Sequence, residues 1–135
     1  MSKTIFIDTV FVVALLNQRD QYHPRAEELA AYYEGRRFLI TDGVLLEIGN
    51  GLARNYKEQA VEVIEHFLSS EDVEVVHLTP ALLEEAFTLY KTYRDKAWGL
   101  VDCFSFIAMR GAGIEEALTF DEHFVQAGFR ALMRE

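Results

Sequence analysis

Thr4-Ile5-Phe6-Ile7-Asp8-Thr9 decides how the rest of the chain reads. Ile5, Phe6 and Ile7 are β-branched or aromatic with no polar residue between them, so a strand built from them is apolar on both faces. Strands of that kind belong to parallel sheets covered on both sides. Asp8 then ends the run. Three later stretches repeat the theme: Phe38 to Thr41, Val73 to Leu78, and Glu116 to Phe120, with Phe129 to Leu132 as a short edge strand. Helical segments fill the gaps. Thr9 to Leu16 forms a short helix, and Pro24 opens one that runs to Tyr33 before Gly35. Asp42 is read as the N-cap of a helix over Val44 to Asn55. Glu58 to Leu68 is amphipathic, Thr79-Pro80 starts a helix reaching Tyr93, and Leu100 to Arg110 is closed by Gly111 or Gly113. A short helix starts at Glu122. Strands alternating with helices give an α/β domain with a parallel sheet, and right-handed crossovers place helices on both faces.

The bulk properties agree. At 135 residues, 50% hydrophobic and 26% charged, the chain suits one domain over residues 1–135 and excludes a disordered polymer. Cys103 stands alone, which excludes an internal disulfide or a thiolate metal cage. The apolar stretch after Met1-Ser2-Lys3-Thr4 is broken by Asp8 before it reaches signal-peptide length, and Val10 to Leu16 is far short of a membrane span. The expectation is a cytoplasmic protein with no membrane association. Thirteen basic and 22 acidic residues leave a net charge of −9, which argues against a broad basic face for nucleic acid.

What the acids do is then the main question. Ligands of open parallel sheets bind beyond the carboxyl ends of the strands. Asp8 follows the first strand, Asp121 follows the fourth, and Glu47 lies early in the helix after the second. One rim therefore collects acids that are far apart in sequence. The bland reading is that Asp after a strand caps a helix, and Asp42 is assigned so. Asp102 sits among Leu100, Val101, Cys103, Phe104, Phe106 and Ile107, in a helix apolar nearly all round, where an ionised carboxylate requires a partner or a cation. It reads either as a cap after Gly99, as an Arg partner, or as a ligand. Glu47 shares a face with Asn50 and Arg54 and reads either as part of a solvated stripe or as part of a site. Two carboxylates ~4 Å apart repel by about 4 kcal/mol at an effective dielectric near 20, so four together need shared protons or a divalent cation. With no His or Cys read at ligand spacing, oxygen ligation favours Mg²⁺ or Mn²⁺, and the chemistry that follows is phosphoester hydrolysis.

Other chemistries fail on the residues. No phosphate-binding G-x-x-x-x-G-K-[ST] and no H-E-x-x-H occurs, Gly49-Asn50-Gly51 lacks its third glycine at Arg54, and the acid an aspartyl phosphatase needs at position 10 is Val10. His77 is assigned to a core or strand-edge position, and His123, two residues after Asp121, to a substrate contact only as the second choice. Arg54, Arg36, Arg37 and Lys96 are the cations proposed to reach substrate phosphate.

In order along the chain, Ile5-Phe6-Ile7-Asp8-Thr9, Leu45-Leu46-Glu47-Ile48, Leu100-Val101-Asp102-Cys103-Phe104-Ser105-Phe106-Ile107-Ala108 and Leu118-Thr119-Phe120-Asp121-Glu122-His123-Phe124 resemble the PIN domain. The resemblance is to its single-domain toxins of the VapC type. It implies a three-layer α/β/α fold with a small parallel sheet of four or five strands and a metal-dependent endoribonuclease. Asp8, Glu47, Asp102 and Asp121 match the acids that hold one or two Mg²⁺ or Mn²⁺ ions, and Thr9 and Thr119 match hydroxyls that support them. Val10 departs from the usual Ser or Asn. The same resemblance implies an RNA substrate, a small DNA-binding antitoxin as partner, and a homodimer. Two other classes stay in view: a non-catalytic interaction module of the same fold, and a receiver-like phosphoacceptor domain, which lacks its acid pair near the first strand and its Lys after the fourth.

Overall fold

The structure is a computed structural model in which residues 3–135 are described; Met1 and Ser2, the start of the segment weighed as a leader, lie outside the described residues. Five strands form one all-parallel sheet in the order β3-β2-β1-β4-β5, with β1 (Ile5–Ile7) at the centre. Around it come α1 (Thr9–Leu16), α2 (His23–Tyr32), β2 (Phe38–Thr41), α3 (Asp42–Gly51), α4 (Lys57–Ser69), β3 (Val73–Val76), α5 (Pro80–Thr92), α6 (Leu100–Ala112), β4 (Glu116–Leu118), α7 (Glu122–Gln126) and β5 (Arg130–Ala131), then a final 3₁₀ turn at Leu132–Arg134.

The central strand is buried at every residue. Its alternate side chains serve different layers, as a strand's period of two requires. Phe6 meets Phe124 at 6.0 Å between ring centroids, joining an aromatic group with Phe106, Phe129 and Trp98. Ile7 faces a space shared with Phe11, Val12 and Phe67 from α1 and α4. Helices therefore cover both faces, as the unbroken apolar run demands.

Several element ends differ from the sequence expectation, each for a local reason. Helix α3 starts at Asp42, and its N-cap is Thr41, whose Oγ1 accepts from the Val44 N–H at 3.1 Å. Asp42 is therefore not the cap. Its carboxylate accepts the Leu78 N–H instead, at 3.0 and 3.1 Å, which pulls Leu78 out of register with β2 and stops β3 at Val76. His77 consequently stands exposed beyond the strand, 3.4 Å from Asp42, rather than in the core or on a strand edge. Helix α3 ends at Gly51, so the seven-residue spacing that put Arg54 on the Glu47 face no longer applies. Strand β4 stops at Leu118 because Thr119 turns away to bond elsewhere. Gly113, with φ +68°, closes α6; that left-handed backbone suits glycine, and Gly111 stays inside the helix.

Strand order reverses beside β1, with β2 on one side and β4 on the other. In an open parallel sheet this is where a crevice forms at the carboxyl edge. Asp8 leaves β1 there and Thr119 leaves β4 there. Helix α6 must return the chain to the start of β4, so its first turn, which carries Asp102, begins at that same edge.

Candidate metal centre

Asp8, Thr9, Val10, Glu47, Asn50, Asp102, Asp121 and His123 line one open concavity of about 550 Å³ at the carboxyl edge. All four sequence-nominated acids border it, but not equally closely. Among the described residues, one ligand atom each from Asp102, Asp121 and His123 lie within 4.8 Å of one another. Asp8 is buried beneath them, and Glu47 is exposed at the mouth.

Each acid is held by a specific donor. Asp8 occupies the N-cap position of α1 yet makes no cap hydrogen bond. Its Oδ2 accepts the Thr119 hydroxyl at 2.8 Å, and that same Oγ1 accepts the Asp121 N–H at 3.0 Å. Thr119, fully buried, thereby ties the acid after β1 to the acid after β4. Asp121 does cap α7, its Oδ1 accepting from the His123 N–H at 2.9 Å. Asp102, in the first turn of α6, reaches back to accept the Gly99 N–H at 3.0 Å. The capping reading of Asp102 is thus partly right: Gly99 is the N-cap residue and Asp102 closes the turn. No Arg pairs with it among the described residues; His123 does, with Nδ1 3.1 Å from Asp102 Oδ2 and 3.4 Å from Asp121 Oδ1. Glu47 Oε1 accepts the Thr9 hydroxyl at 2.6 Å.

The electrostatics follow from this crowding. Burial pushes the Asp8 carboxyl from its ordinary 3.8 up to about 7; the charges of Asp102 and Asp121 push the same way, and the Thr119 hydroxyl opposes them. Asp102 is also raised, by burial first, with the Gly99 N–H and His123 pulling it down. The site holds more negative charge than its own donors neutralise. A donor set of carboxylate oxygens and one imidazole nitrogen, gathered around an under-compensated buried carboxyl, fits a divalent cation.

His123 is the residue that sequence reasoning undervalued. Its position two after a capping Asp fixes it in the first turn of α7, with its ring directed back over the acids; the T-x-D-x-x-F spacing was the available signal. Three of the four proposed phosphate contacts, Arg36, Arg37 and Arg54, fare less well. The Arg37 carbonyl accepts the Ile5 N–H, and Arg36 donates to the Lys3 carbonyl, so both mark the amino edge of the sheet, opposite the acids. Arg54 lies past the end of α3 and does not line the concavity. Lys96 sits on the loop before α6.

Sheet order and acid placement together define a class: an all-parallel α/β domain with an acidic centre at its topological switch point. A PIN-domain family model matches residues 5–130, and the chain belongs to the PIN-domain family. PIN nucleases work with a divalent metal ion, and the acidic cluster here could hold one. The chain is 34% identical over 125 residues to the 23S rRNA-specific endonuclease VapC20 of Mycobacterium tuberculosis, covering 93% of this chain and 95% of that one. The crystal structure of that protein, described as a Sarcin-Ricin loop cleaving toxin, superposes with a TM-score of 0.83 at 33% identity over the same shares of the two chains. The VapBC2 complex of Rickettsia felis, bound to a DNA fragment from its promoter, shares the fold at a TM-score of 0.65 and 17% identity, covering 96% of this chain and 97% of that chain.

Proposed function

We propose that the chain is a Mg²⁺- or Mn²⁺-dependent endoribonuclease, the toxin of a VapBC-type toxin–antitoxin pair, acting as a single nuclease domain over residues 1–135 in the cytoplasm. The observation that carries the reading is Asp8: a buried carboxyl raised to about 7 beneath Asp102 and Asp121, in a site whose donors suit a dication. Asp8, Asp102 and Asp121 hold the ion, with His123 beside them. Glu47, exposed and fixed by Thr9, completes the shell or orients the attacking water. A divalent ion bound there would supply Lewis acidity that activates water near neutral pH and offsets charge on the phosphate. The chain's own part is placement. Thr119 keeps Asp8 and Asp121 in register, and the Gly99 N–H keeps one Asp102 oxygen turned toward the backbone.

The likeness to VapC20 supports RNA, and specifically large-subunit ribosomal RNA, as the substrate class. The shared fold with the VapBC2 complex, which is bound to promoter DNA, is in keeping with a small DNA-binding antitoxin as partner. Exposed Leu46, Leu78, Leu83 and Leu100 on α3, α5, α6 and the loop before α5 offer an apolar face consistent with a homodimer. No helix among the described residues is long and apolar enough to cross a membrane. The test is purified wild-type protein, Asp8→Asn and Asp102→Asn with 23S ribosomal RNA and Mn²⁺, cleavage being mapped by primer extension. Cleavage by the wild type alone supports the proposal; persistent metal-dependent cleavage by both variants overturns the site.

A further inference from the structure

The chain carries a net charge of −9, yet its charge is not evenly spread. From Tyr90 to Gly99 it places Lys91, Arg94 and Lys96 against a single acid, Asp95. The same stretch carries Tyr90, Tyr93 and Trp98. The two tyrosines are 46% and 41% exposed, large apolar rings left open at the surface, whereas Trp98 is buried. Trp98 anchors the stretch: its Nε1 donates to Gln126 Oε1 at 2.9 Å and its ring packs on Phe106 at 5.1 Å and on Tyr93 at 5.0 Å. Tyr93 is therefore held from below with its outer part free. Arg94 has no ion pair or side-chain hydrogen bond among the described residues, Lys91 lies over the Phe87 ring, and Lys96 is 3.4 Å from the exposed Asp95 carboxylate. These residues line an open concavity of about 480 Å³ that ends at Gly99, whose N–H bonds Asp102. A cationic, aromatic ledge thus runs directly into the first turn that carries a proposed metal ligand.

We propose that this ledge is the single-stranded RNA subsite of the proposed nuclease, on which bases stack on Tyr93 and Tyr90 while Arg94, Lys96 and Lys91 contact the adjoining phosphates. This rests on the ribonuclease reading and adds to it where the strand lies. Stacking on fixed aromatic rings together with a short run of cations is the general chemistry of single-strand binding, and it tolerates any base. The ledge is also where an acidic protein can hold a polyanion, because the attraction is local and the wider field is screened within about 8 Å at physiological salt.

The test uses the full chain and a fluorescein-labelled oligouridylate in EDTA, read by anisotropy, alongside Mn²⁺-dependent cleavage of 23S ribosomal RNA. Three phosphate contacts on a single strand give a slope of about −2 in log affinity against log salt. Arg94→Gln with Lys96→Gln lowers that slope to about −0.7, and Tyr93→Leu, which keeps apolar packing on Trp98, weakens binding about tenfold. In cleavage, both variants raise KM and leave kcat and calorimetric Mn²⁺ affinity unchanged. Arg37→Gln, which removes a positive charge at the amino edge of the sheet, leaves KM and the slope as in wild type. If ledge variants and Arg37→Gln behave alike while the wild type still cleaves, the ledge proposal is overturned and the ribonuclease reading stands. If the ledge variants alter only the sedimentation of the free protein, the surface is a protein contact and the proposal is again overturned. Should the wild type neither cleave nor bind RNA, both fall.

Discussion

Replacing Asp8 by Asn should make the metal-free protein more stable while abolishing its function. The carboxyl is buried, and folding raises it from 3.8 to about 7. Between those pH values the folded chain keeps a proton that the unfolded chain has released, so stability falls as pH rises through this window and is lowest above it. Ionising a carboxyl held that high costs up to ~4 kcal/mol at about pH 8. Asn carries no charge to desolvate, and its amide oxygen can still accept the Thr119 hydroxyl, so the variant gains about 2–4 kcal/mol at about pH 8 and close to nothing at about pH 3, below the unfolded value. Urea unfolding in EDTA, followed through the fluorescence of the buried Trp98, measures both values. A variant that is no more stable than wild type at the higher pH, with the same denaturant slope, would refute the claim that the site stores uncompensated charge. Such an exchange of stability for a charged functional centre is common.

Three further outcomes follow from the same geometry. Thr119→Val removes the hydroxyl that bonds both Asp8 and Asp121; calorimetry should show Mn²⁺ affinity lowered at least tenfold, and urea unfolding a loss of about 1–3 kcal/mol. Saturating Mn²⁺, at about a hundred times its Kd, should raise wild-type stability by about 2.7 kcal/mol in urea unfolding and leave Asp8→Asn with a much smaller gain. Gly113→Ala meets no atom within 4 Å but sits at φ +68°, so thermal unfolding should report a loss of about 1 kcal/mol from backbone strain alone, with metal binding untouched.

The sheet was legible because β1 and β2 carry unbroken apolar runs, a pattern that only burial on both faces explains. Element ends were less so. Asp42 looked like a cap by type, but Thr41 had the extended backbone and the hydroxyl in place, and the Asp42 carboxylate was drawn to Leu78 36 residues away. No local rule sees such a contact. The acids were legible by position after strands, since topology fixes which rim they share. Their individual partners were not: the link from Thr119 to Asp8 joins residues 111 apart. His123 was undervalued because a histidine's worth as a ligand depends on where its ring points, which a five-residue helix sets only once α7 docks against α6. Arg36 and Arg37 failed for the opposite reason. They precede a strand rather than follow one, and in a parallel sheet that puts them at the far edge.

Crystals grown with Mn²⁺ and measured at the manganese absorption edge test the central claim most directly. An anomalous peak within bonding distance of the carboxylates of Asp8, Asp102 and Asp121, lost in the Asp102→Asn protein, is the expected result. A fully occupied peak elsewhere, or no peak at this site under Mn²⁺ concentrations that support RNA cleavage, would contradict it.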